Sequence, residues 1–85
     1  MRDFNYEIKK RLGILSQNGE KTLELNLVSY NGREPKIDLR RWDRSGGEEK
    51  LLKGLTMTNE EAAALFEALT DYSENGGFDD QSAGR

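Results

Sequence analysis

Eighty-five residues make room for one domain and a small core, and with 34% hydrophobic and 34% charged residues much of the chain has to face water. There is no cysteine and no histidine, which excludes disulfides, thiolate nucleophiles and the common zinc sites and removes the usual general base. The net charge of −3 hides an asymmetry, because residues 1–58 carry twelve Lys/Arg against nine Asp/Glu (+3) and residues 59–85 carry one against seven (−6); this fits either a polyanion-binding face on the basic part or an acidic end that merely aids solubility.

After a frayed start at Met1–Asn5, Tyr6–Ser16 reads as a first strand. Tyr6, Ile8, Leu12 and Ile14 fall on one side of it, and Glu7, Lys9, Arg11, Gly13 and Leu15 on the other. Gly13 marks a candidate bulge or bend, and Gln17-Asn18-Gly19 a turn. The second strand, Thr22–Tyr30, alternates Leu23, Leu25 and Leu27 with Glu24, Asn26, Val28 and Tyr30. The third, Pro35–Trp42, alternates Ile37 and Leu39 with Lys36, Asp38, Arg40 and Trp42. The leucine side is the expected core face, and the other side the expected wet face.

Register between these strands can be settled on paper. A two-residue Asn31-Gly32 turn sets Leu27 opposite Lys36 and mixes the faces on every rung. An odd loop such as Asn31-Gly32-Arg33 pairs Leu27 with Ile37, Leu25 with Leu39, Asn26 with Asp38 and Glu24 with Arg40. The odd loop is expected, with a positive φ at Gly32 or its neighbour. Pro35 belongs at a strand start or on an unpaired side, since it has no N–H to donate.

Asp43–Lys50 is a polar, glycine-bearing loop and is expected to be mobile. Leu51–Met57 reads as a fourth strand whose faces stay ambiguous, because Leu51, Leu52 and Leu55 cannot share one parity without a distortion at Gly54. Thr58 begins a helix, and Glu61 three residues on completes a capping box. Ala62, Leu65, Phe66, Leu69 and Tyr72 form one apolar stripe. Ala64 and Ala68 form a small-residue face that suits a partner subunit or reflects alanine's helix propensity alone. Ser73–Arg85 is acidic and glycine-rich and is expected to be disordered. The division is thus a domain over residues 1–72 and a tail over 73–85, with a curved antiparallel sheet followed by one helix (ββββα, class α+β). No apolar run reaches the length of a membrane span and no signal peptide is evident at the start, so a soluble cytoplasmic protein is expected.

Lys9, Arg11, Tyr30, Lys36, Arg40 and Trp42 gather on the expected wet face, with Arg33 in the adjoining loop. Basic side chains interleaved with flat rings are what single-stranded nucleic acid requires, cations for phosphates and rings for exposed bases. Asn26 adds a hydrogen-bonding group for a base edge or a phosphate. Each residue also has a plainer reading: Trp42 as a cap closing the core at the sheet edge, Arg40 as a partner of Glu24, and Lys36 and Arg33 as solvated charges. A protein-docking module using the exposed sheet or the alanine face is the alternative function. No catalytic constellation, phosphate-binding loop or repeat is evident, and no cofactor or metal is expected.

The runs LNLVSYNGR and IDLR followed by Trp42, and Lys53-Gly54 leading into a strand and a capped helix, are similar to the positive cofactor 4 family of transcriptional coactivators, and within it to a small bacterial YdbC-like branch. The likeness spans roughly residues 4–69. It implies a ββββα homodimer whose paired curved sheets bind single-stranded DNA, without enzymatic activity and with little sequence preference. By that resemblance Tyr30 takes the aromatic position before the glycine turn, and Arg33 the basic loop position after it. Arg40 and Trp42 end the third strand, and Lys53 precedes the glycine of the family motif. The sequence departs from the bacterial pattern at Tyr30, often a larger ring, and at Ile37, often an aromatic. Both departures bear on stacking strength. Transcriptional activation belongs to the eukaryotic members of that family.

Overall fold

A computed structural model describes residues 5–82; the expectations for Met1–Phe4 and for 83–85 lie outside the described residues. Four strands, β1 (Tyr6–Asn18), β2 (Lys21–Tyr30), β3 (Lys36–Asp43) and β4 (Lys50–Met57), form one antiparallel sheet in sequential order. A 3-10 turn at Ser45–Gly47 joins β3 to β4, and helices α1 (Asn59–Glu74) and α2 (Gly77–Ser82) follow. This is the α+β, ββββα order, with one short helix added.

The β2–β3 register is the odd one, pairing Leu27 with Ile37, Asn26 with Asp38, Leu25 with Leu39 and Glu24 with Arg40. Asn31 (φ 53°) and Gly32 (φ 76°) supply the left-handed turn. Asn31 also ties the turn to the chain start, through Asn31 N–H to Asn5 O (2.8 Å) and Asn5 N–H to Asn31 Oδ1 (3.0 Å).

β1 departs from simple alternation. Its 13 residues pair with the 10 of β2, with register shifts between Ile8 and Lys10, Arg11 and Gly13, and Ile14 and Ser16. Lys9, Leu12 and Leu15 are therefore bulged, and Gly13 adjoins one of the three irregularities. The side chains that share a face become Ile8, Arg11, Ile14 and Gln17, a period of three, opposite Val28, Asn26, Glu24 and Thr22. The grouping of Leu12 with Ile8 is corrected accordingly. Bulges sharpen bend and twist, and three in one edge strand curl the sheet.

A further irregularity between Arg40 and Trp42 resolves β4, placing Leu55 opposite Leu39 and Leu51 opposite Trp42, on different faces. Gly54 lies opposite Arg40, and a Cβ on Gly54 would overlap the Arg40 side chain and backbone. That position admits only glycine without a shift of β3.

α1 starts at the expected capping box, with Glu61 N–H to Thr58 Oγ1 at 3.0 Å and Thr58 N–H to Glu61 Oε1 at 2.9 Å. The disordered tail expected from Ser73 is corrected in part. α1 runs on to Glu74, Asn75 caps it through Asp71 O, and α2 follows. Phe78 then meets Tyr72 edge-on at 5.0 Å, and Gly77 lies flat against the Tyr72 ring, where a side chain would not fit.

Burial inverts the expected roles of the two faces. The buried residues include Thr22, Glu24, Asn26, Val28, Asp38 and Trp42, all from the face expected to be wet. Leu23, Leu25, Leu27, Ile37 and Leu39 are only half-buried. The physical reason lies in the curvature: side chains inside a bend converge and cover one another, and those outside splay apart. α1 closes little of the leucine face. A trough of about 260 Å³ remains between them, lined by Leu25, Ile37, Met57, Ala62, Leu65, Phe66 and Leu69. Phe66 is 70% exposed.

Candidate nucleic-acid interface

Two buried carboxylates organise the even-numbered face. Asp38, with no exposed surface, accepts from Arg40 Nε (2.8 Å) and a second Arg40 nitrogen (2.9 Å), Tyr30 Oη (3.0 Å) and Thr56 Oγ1 (2.9 Å). The remaining Arg40 nitrogen donates to Leu52 O at 2.9 Å. Its link to Asp38 raises the Arg40 pKa; burial and the same carboxylate raise that of Tyr30. A forked guanidinium on a dry carboxylate is the strongest pairing available to side chains.

Glu24, 1% exposed, accepts from Thr22 Oγ1 (2.6 Å), Asn26 Nδ2 (3.0 Å), Arg44 (2.6 and 3.3 Å) and Arg11 (3.3 Å). Burial alone would raise its pKa; the hydrogen bonds from Arg44, Thr22 and Asn26 outweigh that and hold it down at about 2. Arg44 also reaches Glu49 Oε2 (2.9 Å), and Glu49 accepts from the Tyr6 hydroxyl (2.5 Å). Burial, then Glu49, push the Tyr6 pKa up to about 12, while the Tyr6 hydrogen bond draws that of Glu49 down.

Trp42 lies beneath this layer with no exposed surface. The Tyr6 ring is 5.6 Å from it, and the Arg44 guanidinium stands 5.2 Å over its face. Trp42 is thus itself covered, with no open ring face on this side of the sheet. Asn26, expected to offer a hydrogen-bonding group to a base edge or a phosphate, is likewise buried and donates to Glu24. Tyr30 keeps a half-buried ring, with Arg40 5.8 Å over its centre and Tyr6 6.5 Å away.

Arg11, Asn26, Tyr30, Arg40 and Trp42 are thus gathered on one face, but as a network in which Arg11, Arg40 and Arg44 are matched by Glu24, Asp38 and Glu49. The other expected cations surround it. Lys36 shares the face and is exposed, and it opens onto a groove with Glu34, Pro35, Thr58 and Asn59. Lys9, paired to Glu7 at 3.3 Å, and Arg33 line a shallow groove of about 520 Å³ beside the turn. Lys53 is exposed in the β4 irregularity. Among the described residues Arg33, Lys36 and Lys53 carry no ion pair. Ala64 and Ala68 are exposed on α1, beside the more prominent Phe66.

Sequence reading missed Arg44, Glu49 and Tyr6 as members of the site, and took Glu24 and Asp38 as outward-facing. One signal was available: two acids alternating with Asn and Thr on adjacent strands need guanidiniums wherever that face closes, and Arg44 follows Trp42 by two residues. Among the described residues no cluster of acidic groups suits a metal ion, and no helix is long and apolar enough to cross a membrane.

The family model described as transcriptional coactivator p15 (PC4) matches residues 17–68, which span the end of β1, all of β2, β3 and β4, and most of α1. An uncharacterized protein of Treponema pallidum (strain Nichols) is 42% identical over 72 residues, covering 84% of this chain and 82% of its own. With the capped helix, the odd-register hairpin and the glycine-bearing fourth strand in place, the chain belongs to the transcriptional coactivator p15 (PC4) family.

Proposed function

We propose that the protein binds single-stranded nucleic acid, DNA or RNA, without catalysis or a cofactor, as a homodimeric accessory factor in transcription or DNA metabolism. The observation that carries this reading is the family match over residues 17–68. Its physical support is the exposed cations Lys9, Arg33, Lys36 and Lys53 around a face that also holds Tyr30 and Trp42. In this mechanism phosphates bind at the rim, and the half-buried Tyr30 ring with Arg40 above it offers a first stacking surface.

A second copy is the proposed occupant of the leucine face. The trough between α1 and the sheet, with Phe66, Leu69 and Leu55 exposed beside it, leaves apolar surface that a chain of 85 residues can ill spare.

Titration with an oligothymidine strand, followed by Trp42 fluorescence at 50 and 200 mM salt, tests the nucleic-acid reading. With three to four phosphate contacts, affinity should fall roughly 15- to 60-fold between those concentrations. Absence of binding at the lower salt, or binding indifferent to salt, would refute it.

A further inference from the structure

Most of the paired face is closed, but it opens along its β1 edge. The bulges set Arg11 opposite Asn26 and Ile14 opposite Glu24. Asn26 and Glu24 are buried, whereas the Arg11 side chain is 56% exposed and Ile14 is 57% exposed. β1 pairs with β2 alone, so this pair forms a ledge with solvent on its outer side. The hold of the network on Arg11 is slack. Its one hydrogen bond among the described residues is to Glu24 at 3.3 Å, while Glu24 already accepts from Thr22 and Arg44 at 2.6 Å and from Asn26 at 3.0 Å. Two residues before Arg11, Lys9 lines the groove it shares with Arg33, so cations continue from that groove to the ledge. Arg11 and Ile14 both lie outside residues 17–68, the part that the family model matches.

Resting on the single-stranded nucleic-acid reading, we infer that Arg11 and Ile14 form a nucleotide subsite, where a strand leaving the Lys9–Arg33 groove continues along the β1 edge. Arg11 takes a phosphate, and Ile14 gives the adjoining sugar or base an apolar surface. A guanidinium has five N–H donors, and Arg11 spends one of them on Glu24, so it can fork onto a phosphate. The exchange is easy for two reasons. An ion pair with one exposed partner is weak, and Glu24 keeps Arg44, Thr22 and Asn26, so no buried carboxylate is left unpaired. Arg40 and Arg44 differ here, because each is the close partner of a buried carboxylate and cannot leave without exposing that cost. The subsite needs no movement of the cover over Trp42.

Anisotropy of a labelled oligothymidine strand, titrated with the full-length protein at 50 and 200 mM salt, tests the subsite. Arg11→Gln should bind about five- to tenfold more weakly at the lower salt, with a salt slope smaller by about 0.7, the loss of one phosphate contact. Ile14→Ser should bind about three- to fivefold more weakly with an unchanged slope, since it removes apolar contact and no charge. Lys10→Gln is the control. It removes the same charge one residue away, but Lys10 stands opposite Leu27 on the leucine face, so its affinity should stay within about twofold of the wild type. Urea midpoints of all three variants should match the wild type, because the substituted side chains are exposed. Equal losses in Arg11→Gln and Lys10→Gln would reduce Arg11 to a share of the net charge and overturn the contact. Wild-type affinity in Ile14→Ser would mean that no nucleotide rests on it, and the subsite falls while the nucleic-acid reading stands. A lowered urea midpoint in Arg11→Gln with unchanged binding would make Arg11 a structural partner of Glu24 only, and also overturns the subsite. If the wild type itself binds no oligothymidine, the nucleic-acid reading falls and takes the inference with it.

Discussion

The face built from Thr22, Glu24, Asn26, Asp38 and Trp42 and the face built from Leu23, Leu25, Leu27, Ile37 and Leu39 alternate along the same two strands, yet they are held by opposite physics. On the first, the buried carboxylates are dry and paired, and each hydrogen bond specifies a neighbour: Asp38 selects Arg40, Tyr30 and Thr56, and Glu24 selects Arg44, Thr22 and Asn26. On the second, the contacts are apolar and non-directional, and much of the surface remains open. A buried ionic network adds little net stability over an apolar core, but losing one member is expensive. The paired face therefore holds the curled sheet in one arrangement, and the leucine face leaves the open apolar surface on which a second copy is proposed to sit.

Removing a charge from the paired face should give the largest effect. Asp38→Ala leaves the half-buried Arg40 without its carboxylate and strips an acceptor from Tyr30 and Thr56. The expected loss is about 3–5 kcal/mol. Leu39→Ala, the next residue along and on the other face, is half-buried and should cost less than the ~2–5 kcal/mol typical of a fully buried leucine. Urea melts of the two variants side by side measure the difference. If Leu39→Ala proves the more damaging, the assignment of structural work to the paired face is wrong.

How far this contrast could be read in advance depended on what alternation encodes. It tells which side chains share a face, and the β2–β3 register followed from it, because one slipped residue would have mixed Leu27 with Lys36. The capping box at Thr58 and Glu61 was legible for the same reason: short-range geometry decides it. Which face is dry was not legible. That follows from curvature, set by bulges at Lys9, Leu12 and Leu15 that leave no mark in composition beyond Gly13. Trp42 shows the consequence for the site. Its place beside Arg40 could be read from the chain, but the cover of Arg44 and Tyr6 joins residues up to 38 positions apart and exists only once the sheet has curled. The α2 segment was missed because the single ring at Phe78 gives no periodic signal, although it finds Tyr72.

The pH dependence of stability offers a second, somewhat smaller test of the paired face. Glu24 has its pKa lowered from 4.5 to about 2 in the folded protein, so the unfolded chain binds the proton more tightly. Its contribution is complete above about pH 4.5 and is lost as pH falls toward 2. A depression of this size corresponds to on the order of 3 kcal/mol. Comparing urea midpoints at pH 5.5 and pH 2.5 for the wild type and Glu24→Gln isolates this group from the other carboxylates. The variant should lose less stability on acidification by most of that amount. Parallel losses would mean that Glu24 is not held ionised by Arg44, Thr22 and Asn26.

The leucine face should respond in a different measurement altogether. Phe66 is too exposed for its loss to matter within one protomer, where surface changes rarely exceed about 0.5 kcal/mol. As the central ring of an interface between two copies it would be worth about 2 kcal/mol, roughly a 30-fold weaker dimer. Sedimentation of the wild type across a micromolar range should therefore show a dimer, and Phe66→Ala should show dissociation at concentrations where the wild type stays paired. Thermal unfolding sharpens the distinction, because a dimer's midpoint rises with protein concentration and a monomer's does not. A wild type that sediments as a monomer throughout would leave the trough beside Leu65 and Leu69 without a second copy, and stable capture of a different protein there would favour the docking-module reading. A Phe66→Ala variant that unfolds like Asp38→Ala would erase the contrast between the faces, since the ring would then be holding the protomer together and not the pair.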